Sequence, residues 1–298
     1  MHEAVISKSP GSKALEIPES RCGLMGQCIG EFIGTLILVF FGVGSIHVAV
    51  VSGTHMGLWE VAMVWGIGIA LAIYTVGAVS GAHLNPAVTF AMAIWRQFPA
   101  KKILPYIIFQ LAGAMAGSLI LFGLFHGMIE QFEVARGIMR GMPGSELSAM
   151  MFGEYFPNPS MLGTSSLAHT QVPLATAMLA EGIGTALLMG FIFALTERRN
   201  INNPRNLTPL FIGLSVSVII AIVSPLTQAG LNPARDFGPR LVSYFFGWGK
   251  IAIPGARGNF DFLTVYILSP IIGGLFGAGV YQGLIRRYLG FEGAGAEQ

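Results

Sequence analysis

Charge is what this sequence has least of. Only 11% of its 298 residues are Asp, Glu, Lys or Arg, while 53% are hydrophobic, against roughly 25% charged in ordinary soluble domains. Such a chain reads as a membrane protein. A net charge of +2, with no basic cluster interleaved with aromatics, argues against a nucleic-acid partner. Cysteine is scarce as well: Cys22 and Cys28 lie six apart near the start of the first hydrophobic segment, with no His or Cys cluster to make a metal site. They read as free thiols, and no metal or cofactor is expected. Met1 to Arg21 has no apolar run and contains Pro10, Gly11 and Pro18, so it resembles neither a cleaved signal nor a folded domain.

Glycine, by contrast, is abundant. The 40 glycines are spread through apolar segments, where they let helix backbones approach closely in a medium that offers helices no hydrophobic drive to associate. Six apolar segments are long enough to cross about 30 Å of hydrocarbon at 1.5 Å per residue: about 25–50, 58–79, 103–125, 173–195, 207–223 and 262–286. Two further pieces are too short. Each begins at Asn-Pro-Ala, Asn85-Pro86-Ala87 running to about Ile94 and Asn232-Pro233-Ala234 running to about Phe246. Proline directly after asparagine suits the first position of a helix, where its missing N–H costs nothing. A helix of about ten residues crosses half a bilayer, so each piece must enter and leave on one side.

The halves repeat. Glu31-Phe32-Ile33-Gly34-Thr35 matches Glu181-Gly182-Ile183-Gly184-Thr185 at an offset of 150, the Asn-Pro-Ala stretches match at 147, and Gly113 and Gly117 match Gly273 and Gly277 at 160. Three spans per half is an odd number, so the second copy is inserted upside down and the half-helices meet at midplane by their N-termini. The expected fold is therefore all-α: six transmembrane helices and two re-entrant half-helices in an inverted repeat. The expected division is a cytoplasmic tail 1–24, a channel domain 25–286 and a cytoplasmic tail 287–298. Within the channel, repeats 25–126 and 172–286 are joined by an extracellular loop 127–171. With both termini cytoplasmic, the inner regions hold Lys8, Lys13, Arg21, Arg96, Lys101, Lys102, Arg198, Arg199, Arg205, Arg286 and Arg287, eleven of the 17 basic residues, as the positive-inside rule requires.

Two helix N-termini aimed at one place repel cations. Asn85 and Asn232 stand there with amide donors for a passing water or hydroxyl oxygen, which breaks the relay a hopping proton needs. The backbone before each half-helix, Gly81, Ala82, His83 and Leu84 in the first copy and Gln228, Ala229, Gly230 and Leu231 in the second, is expected to be extended, with carbonyls lining the path.

These residues resemble the aquaporin and aquaglyceroporin channels, over about Gly26 to Arg286. The likeness rests on both Asn-Pro-Ala motifs, the repeated Glu-x-Ile-Gly-Thr, the Ser80-Gly81-Ala82-His83 approach, and Asn232-Pro233-Ala234-Arg235-Asp236-Phe237-Gly238-Pro239-Arg240. Asp236, Arg240 and the long third loop resemble the bacterial glycerol facilitators. The resemblance implies an aquaporin fold, a homotetramer with one pore per subunit in a bacterial inner membrane, and passive passage of glycerol, similar polyols and some water. It also implies an outer constriction at Trp65, Ile220, Ala229 and Arg235. Trp65 and Arg235 match the facilitators, whereas Ile220 and Ala229 stand where facilitators have glycine and phenylalanine, and Tyr266 stands where they have proline. The combination looks more like plant nodulin-type channels, so broader neutral-solute passage (urea, ammonia, metalloid hydroxides) or mainly water conduction stays open.

Several residues carry two readings. Arg235 in an apolar setting is functional by default, and Trp65, elsewhere a packing residue, earns its place by spacing. Glu31 and Glu181 suggest a proton relay, but their symmetric placement favours acceptors for loop N–H groups. His83 offers a carbonyl and a packing contact; His47, His55, His126 and His169 lie near span ends, where solvated side chains are expected; and Asp236 reads as a helix-terminus acid and salt-bridge partner. A coupled transporter shares inverted repeats and broken helices but needs an ion-binding acid, and this core offers none beyond the matched glutamates. A hydrolase needs a nucleophile and base, which Asn85 and Asn232 cannot be. A non-conducting adhesive protein of the same fold remains a third class.

Overall fold

The computed structural model describes residues 23–253 and 261–290. Cys22, the tail residues Lys8, Lys13 and Arg21, Arg257 beyond the second half-helix, and residues 291–298 lie outside them. Six helices are long and apolar enough to cross a membrane. In chain order α1 is Leu24–Val51, α2 is Leu58–Ser80, α3 is the half-helix Pro86–Trp95, and α4 is Ile103–Ala135. Three short helices follow, α5 (Glu146–Ala149), α6 (Pro159–Leu162) and α7 (Ser166–Gln171). The second repeat comprises α8 (Leu174–Leu195), α9 (Thr208–Thr227), the half-helix α10 (Pro233–Ser243) and the span α11 (Leu263–Tyr288).

Three expectations need correction. The third span runs ten residues beyond Phe125, because nothing between Gly127 and Ala135 breaks a helix and Glu133 finds a partner in Arg140 at 2.7 Å. What remains of the long loop is partly helical. The second half-helix ends at Ser243, not near Phe246, because the chain widens over Tyr244–Trp248 and turns at Gly247, where φ is +109°. His47 is fully buried rather than solvated: its Nδ1 lies 2.9 Å from the Val43 carbonyl, and its ring packs between Phe125 and Phe152.

Small residues set the helix contacts. A Cβ added at Gly113 would overlap the Phe32 carbonyl of α1, and one at Gly273 would overlap the Gly182 carbonyl of α8; Gly117 and Gly277 stand in the same way against Leu36 and Ala186. The matched glycines of the sequence thus serve matched crossings, α4 on α1 and α11 on α8. The repeats join where α2 crosses α9, with Gly66 and Gly213 each facing the other's carbonyl. These two are also 147 apart. Each half-helix packs mainly on the opposite repeat, α3 on α11 and α10 on α4, so the two copies interlock and bring their half-helix starts together.

Candidate channel lumen and constriction

The two Asn-Pro-Ala stretches meet at the middle. Asn85 caps α3, its Oδ1 accepting from Ala87 N at 2.8 Å, and Asn232 caps α10, accepting from Ala234 N at 3.1 Å and Arg235 N at 3.2 Å. Capping fixes both amides. Their NH2 groups then donate across the junction, Asn85 to the Leu231 carbonyl at 2.9 Å and Asn232 to the Leu84 carbonyl at 2.8 Å. An amide nitrogen has two hydrogens, so each asparagine keeps one for the lumen it lines. Pro86, Ala87, Pro233 and Ala234 are buried first-turn residues behind that point.

The approach segments are not extended. Gly81, Ala82 and Leu84 have φ of +85°, +50° and +53°, and their repeat-mates Gln228, Ala229 and Leu231 have +62°, +63° and +52°. The reason is a shared anchor. Successive N–H groups of an extended strand point to opposite sides, whereas left-handed residues on either side of His83 and of Gly230 turn two successive N–H groups to one side and make a nest for an anion. Glu31 fills the first nest, accepting from His83 N at 3.0 Å and Leu84 N at 2.7 Å; Glu181 fills the second, accepting from Gly230 N at 2.9 Å and Leu231 N at 2.7 Å. Gln110 donates to Glu31 at 2.7 Å and Thr227 to Glu181 at 2.6 Å. Both carboxylates are fully buried and spent on backbone.

One continuous cavity of about 170 Å³ runs past this centre. Trp65 and Arg235 stand at one end and Thr196 and Thr208 at the other, with Gly81, Ala82, His83, Leu84, Asn85, Ile220, Ala229, Gly230, Leu231 and Asn232 along it, facing an apolar wall that includes Leu38, Val216 and Ile192. Gln228 is not among its lining residues. Its side chain instead ties down the third loop, accepting from Tyr155 N at 2.9 Å and donating to the Met150 carbonyl at 3.2 Å.

Where the constriction is expected, the guanidinium of Arg235 lies over the Trp65 ring, 4.4 Å from its centroid. The two form one corner. Gly42 makes the space, since a Cβ there would overlap the indole. Tyr266 backs the second approach segment, donating to the Thr227 carbonyl at 3.1 Å and packing on Gly230. His83 is buried between Phe98 and Tyr106, with Nδ1 3.2 Å from Thr89 Oγ1.

One acid escaped the sequence reading. Glu154, in the third loop, is fully buried and ion-paired with Arg235, whose Nη1 also donates to the Phe152 carbonyl at 3.4 Å. Asp236 and Arg240 hold that loop against Arg235. Arg240 pairs with Asp236 at 2.6 Å and donates to the carbonyls of Glu154 at 2.6 Å and Ala252 at 2.7 Å, while Asp236 accepts from Glu154 N at 2.8 Å. The signal for Glu154 was an acid between Phe152 and Tyr155-Phe156, just ahead of Pro157-Asn158-Pro159.

Known proteins resemble this chain in sequence and in fold. The glycerol uptake facilitator protein of Escherichia coli K12 is 42% identical over 267 residues, covering 89% of this chain and 90% of that protein. The propanediol uptake facilitator PduF of Citrobacter freundii is 41% identical over 266 residues, covering 89% of this chain and 94% of that one. The X-ray structure of the aquaglyceroporin from Plasmodium falciparum superposes with a TM-score of 0.75 at 25% identity, covering 90% of this chain and 99% of the other. The family described as Major intrinsic protein matches residues 19–281, and with that span the chain belongs to the major intrinsic protein family.

Proposed function

We propose that this integral membrane protein conducts glycerol and similar polyols, with some water, passively down their gradients, and excludes protons and ions. It is a channel, not an enzyme. The observation that carries the reading is the continuous lumen between two asparagine-capped half-helix starts, ending at the Arg235–Trp65 corner. The facilitator names of its relatives supply the solute. In this reading Arg235 offers fixed donors to hydroxyl oxygens while Trp65 and Ile220 meet carbon-bound hydrogens, so a polyol finds one polar and one apolar side. Ala229, Gly230 and Leu231, with Gly81 to Leu84, offer carbonyls along the path. Asn85 and Asn232 each present one N–H to a passing oxygen, and the paired helix dipoles oppose cations. Glu31 and Glu181 act as structural anchors, and Glu154 balances the charge of Arg235 at the mouth.

The wider assignment follows the family. Residues 25–286 form the channel and 1–24 and 287–298 its cytoplasmic tails, with 127–171 outside, in a homotetramer of the bacterial inner membrane. Ile220 and Ala229 favour a second reading, in which urea and other small neutral solutes also pass, because they shift bulk from one wall to another. Light scattering of proteoliposomes in separate gradients of glycerol, urea and sorbitol, with and without a proton ionophore, tests both. Glycerol flux well above that of empty vesicles, no sorbitol flux and no effect of ionophore are expected. Glycerol flux equal to empty vesicles removes the facilitator reading, and flux that collapses with the proton gradient favours a transporter.

A further inference from the structure

A second cavity, separate from the lumen, opens in the loop between α8 and α9. It has a volume of about 550 Å³ and is lined by Arg198, Arg199, Arg205, Asn200, Asn203 and Ile201, with Gly290 at its edge. That lies within the roughly 300–1,000 Å³ range of small-ligand sites. No carboxylate lines it among the described residues. The neighbouring acid, Glu197, is buried and already engaged by Arg286 at 2.6 Å and by Arg96 and Arg199 at 3.6 Å each. Arg198 and Arg205 are exposed and make no ion pair among the described residues.

Two asparagines fix the backbone of the loop that carries these arginines. Asn200 donates to the Ala194 carbonyl at 3.1 Å and accepts from Asn202 N at 3.1 Å, while Asn203 donates to the Glu197 carbonyl at 3.1 Å and accepts from Arg205 N at 2.7 Å. Two asparagines thus close the end of α8 and shape the turn, which takes Arg205 into the left-handed region at φ +52°. A fixed fork of guanidinium donors recognises phosphate oxygens with both charge and geometry. The start of α9, which has no side-chain cap, adds partial positive charge beside Arg205. At the rim Ile201 is 96% exposed, an apolar tip next to a cationic cleft.

We infer that the cleft formed by Arg198, Arg199 and Arg205 is a binding site for a phosphate-bearing anion. Its chemistry fits either an anionic phospholipid headgroup or a free phosphate ion, and the apolar rim favours neither source by itself. The site borders the lumen, since Thr196 and Thr208, at the two ends of the loop, both line the channel cavity. Occupancy would be read by groups that no solute passing through the pore needs to touch.

The test uses the full-length protein with two probes, phosphatidylglycerol in nanodiscs followed by native mass spectrometry and inorganic phosphate in detergent followed by calorimetry. Arg198→Ala with Arg205→Ala is expected to weaken retention of phosphatidylglycerol relative to phosphatidylcholine about tenfold. Lys101→Ala with Lys102→Ala, which removes the same charge outside the cleft, is expected to change it less than about twofold. Phosphate binding that disappears in the arginine variant assigns the free anion to the site as well; phospholipid binding with no phosphate heat assigns the headgroup alone. The inference is overturned if neither probe distinguishes the arginine variant from the parent, or if the lysine variant loses as much. Should the alanine pair fold poorly, single Arg198→Gln and Arg205→Gln variants carry the same expectation at about threefold each.

Discussion

The guanidinium of Arg235 rests on the face of Trp65, 4.4 Å from the ring centroid, while its other side is ion-paired with Glu154. A buried arginine held between an aromatic face and a carboxylate is both charge-balanced and immobile. Its remaining donors are therefore presented in one geometry to whatever enters. The position of the indole, in turn, depends on the absence of a side chain at Gly42.

Gly42→Ala is expected to push the Trp65 ring toward the lumen, at a folding cost of about 1–3 kcal/mol. Glycerol permeability should fall about tenfold, from a barrier higher by about 1.4 kcal/mol, with water permeability reduced less. Stopped-flow light scattering in the two gradients checks this. An unchanged glycerol-to-water ratio in a folded variant would show that the ring does not bound the path.

Ile220 and Ala229 both line the cavity. Ala229→Phe together with Ile220→Gly restores the bulk distribution expected of the facilitators. Alanine already occupies the left-handed φ of +63° at position 229, so the exchange adds wall without demanding a new backbone. The glycerol-to-water permeability ratio is expected to rise about tenfold, the discrimination that a change of one or two carbons commands. No change would mean that the constriction lies elsewhere.

Glu181→Gln turns an acceptor-only carboxylate into an amide facing Gly230 N, Leu231 N and the Thr227 hydroxyl. Losing charged acceptance at this fully buried site is expected to cost about 3 kcal/mol. Folded yield and thermal midpoint in detergent should drop, as should those of Glu31→Gln. A proton relay predicts otherwise: well-folded protein with altered proton-dependent flux. That result would overturn the anchoring role.

Glu197 lies outside the spans. Burial raises its carboxyl pKa, but the hydrogen bonds from Arg286 and from the Arg199 backbone, with the charges of Arg286 and Arg96, outweigh burial and leave it below its ordinary value. An acid held low stabilises the fold above its unfolded pKa of about 4.3, and that contribution is lost as pH falls through the folded value. The thermal midpoint should therefore drop more steeply below about pH 4.3 for the parent than for Glu197→Gln. Parallel curves would show that Glu197 carries no such linkage.

Local pattern made most of the fold legible. Apolar run length placed all six spans, and the offset of 147 between the Asn-Pro-Ala stretches contained the inverted repeat. It also contained Gly66 and Gly213, a glycine pair that has no legible chemistry until two helices cross there. Proline at the first helical position and asparagine before it specified both half-helix starts. The end of α10 was less legible, since an apolar stretch such as Tyr244-Phe245-Phe246 continues a hydrophobic pattern even where Gly247 turns the chain.

By itself the sequence determined that this is a membrane-spanning inverted repeat with two capped half-helices, because hydrophobic length, helix-start chemistry and internal repetition are all local properties. Tertiary structure decided the rest. Which hydrogen of each asparagine is free, why the approach segments must take left-handed φ, that Arg235 leans on Trp65 rather than facing it, and that Glu154 reaches Arg235 all depend on groups from 50 to more than 150 residues apart. Such meetings are set by helix packing through glycine contacts, and no window along the chain contains both partners.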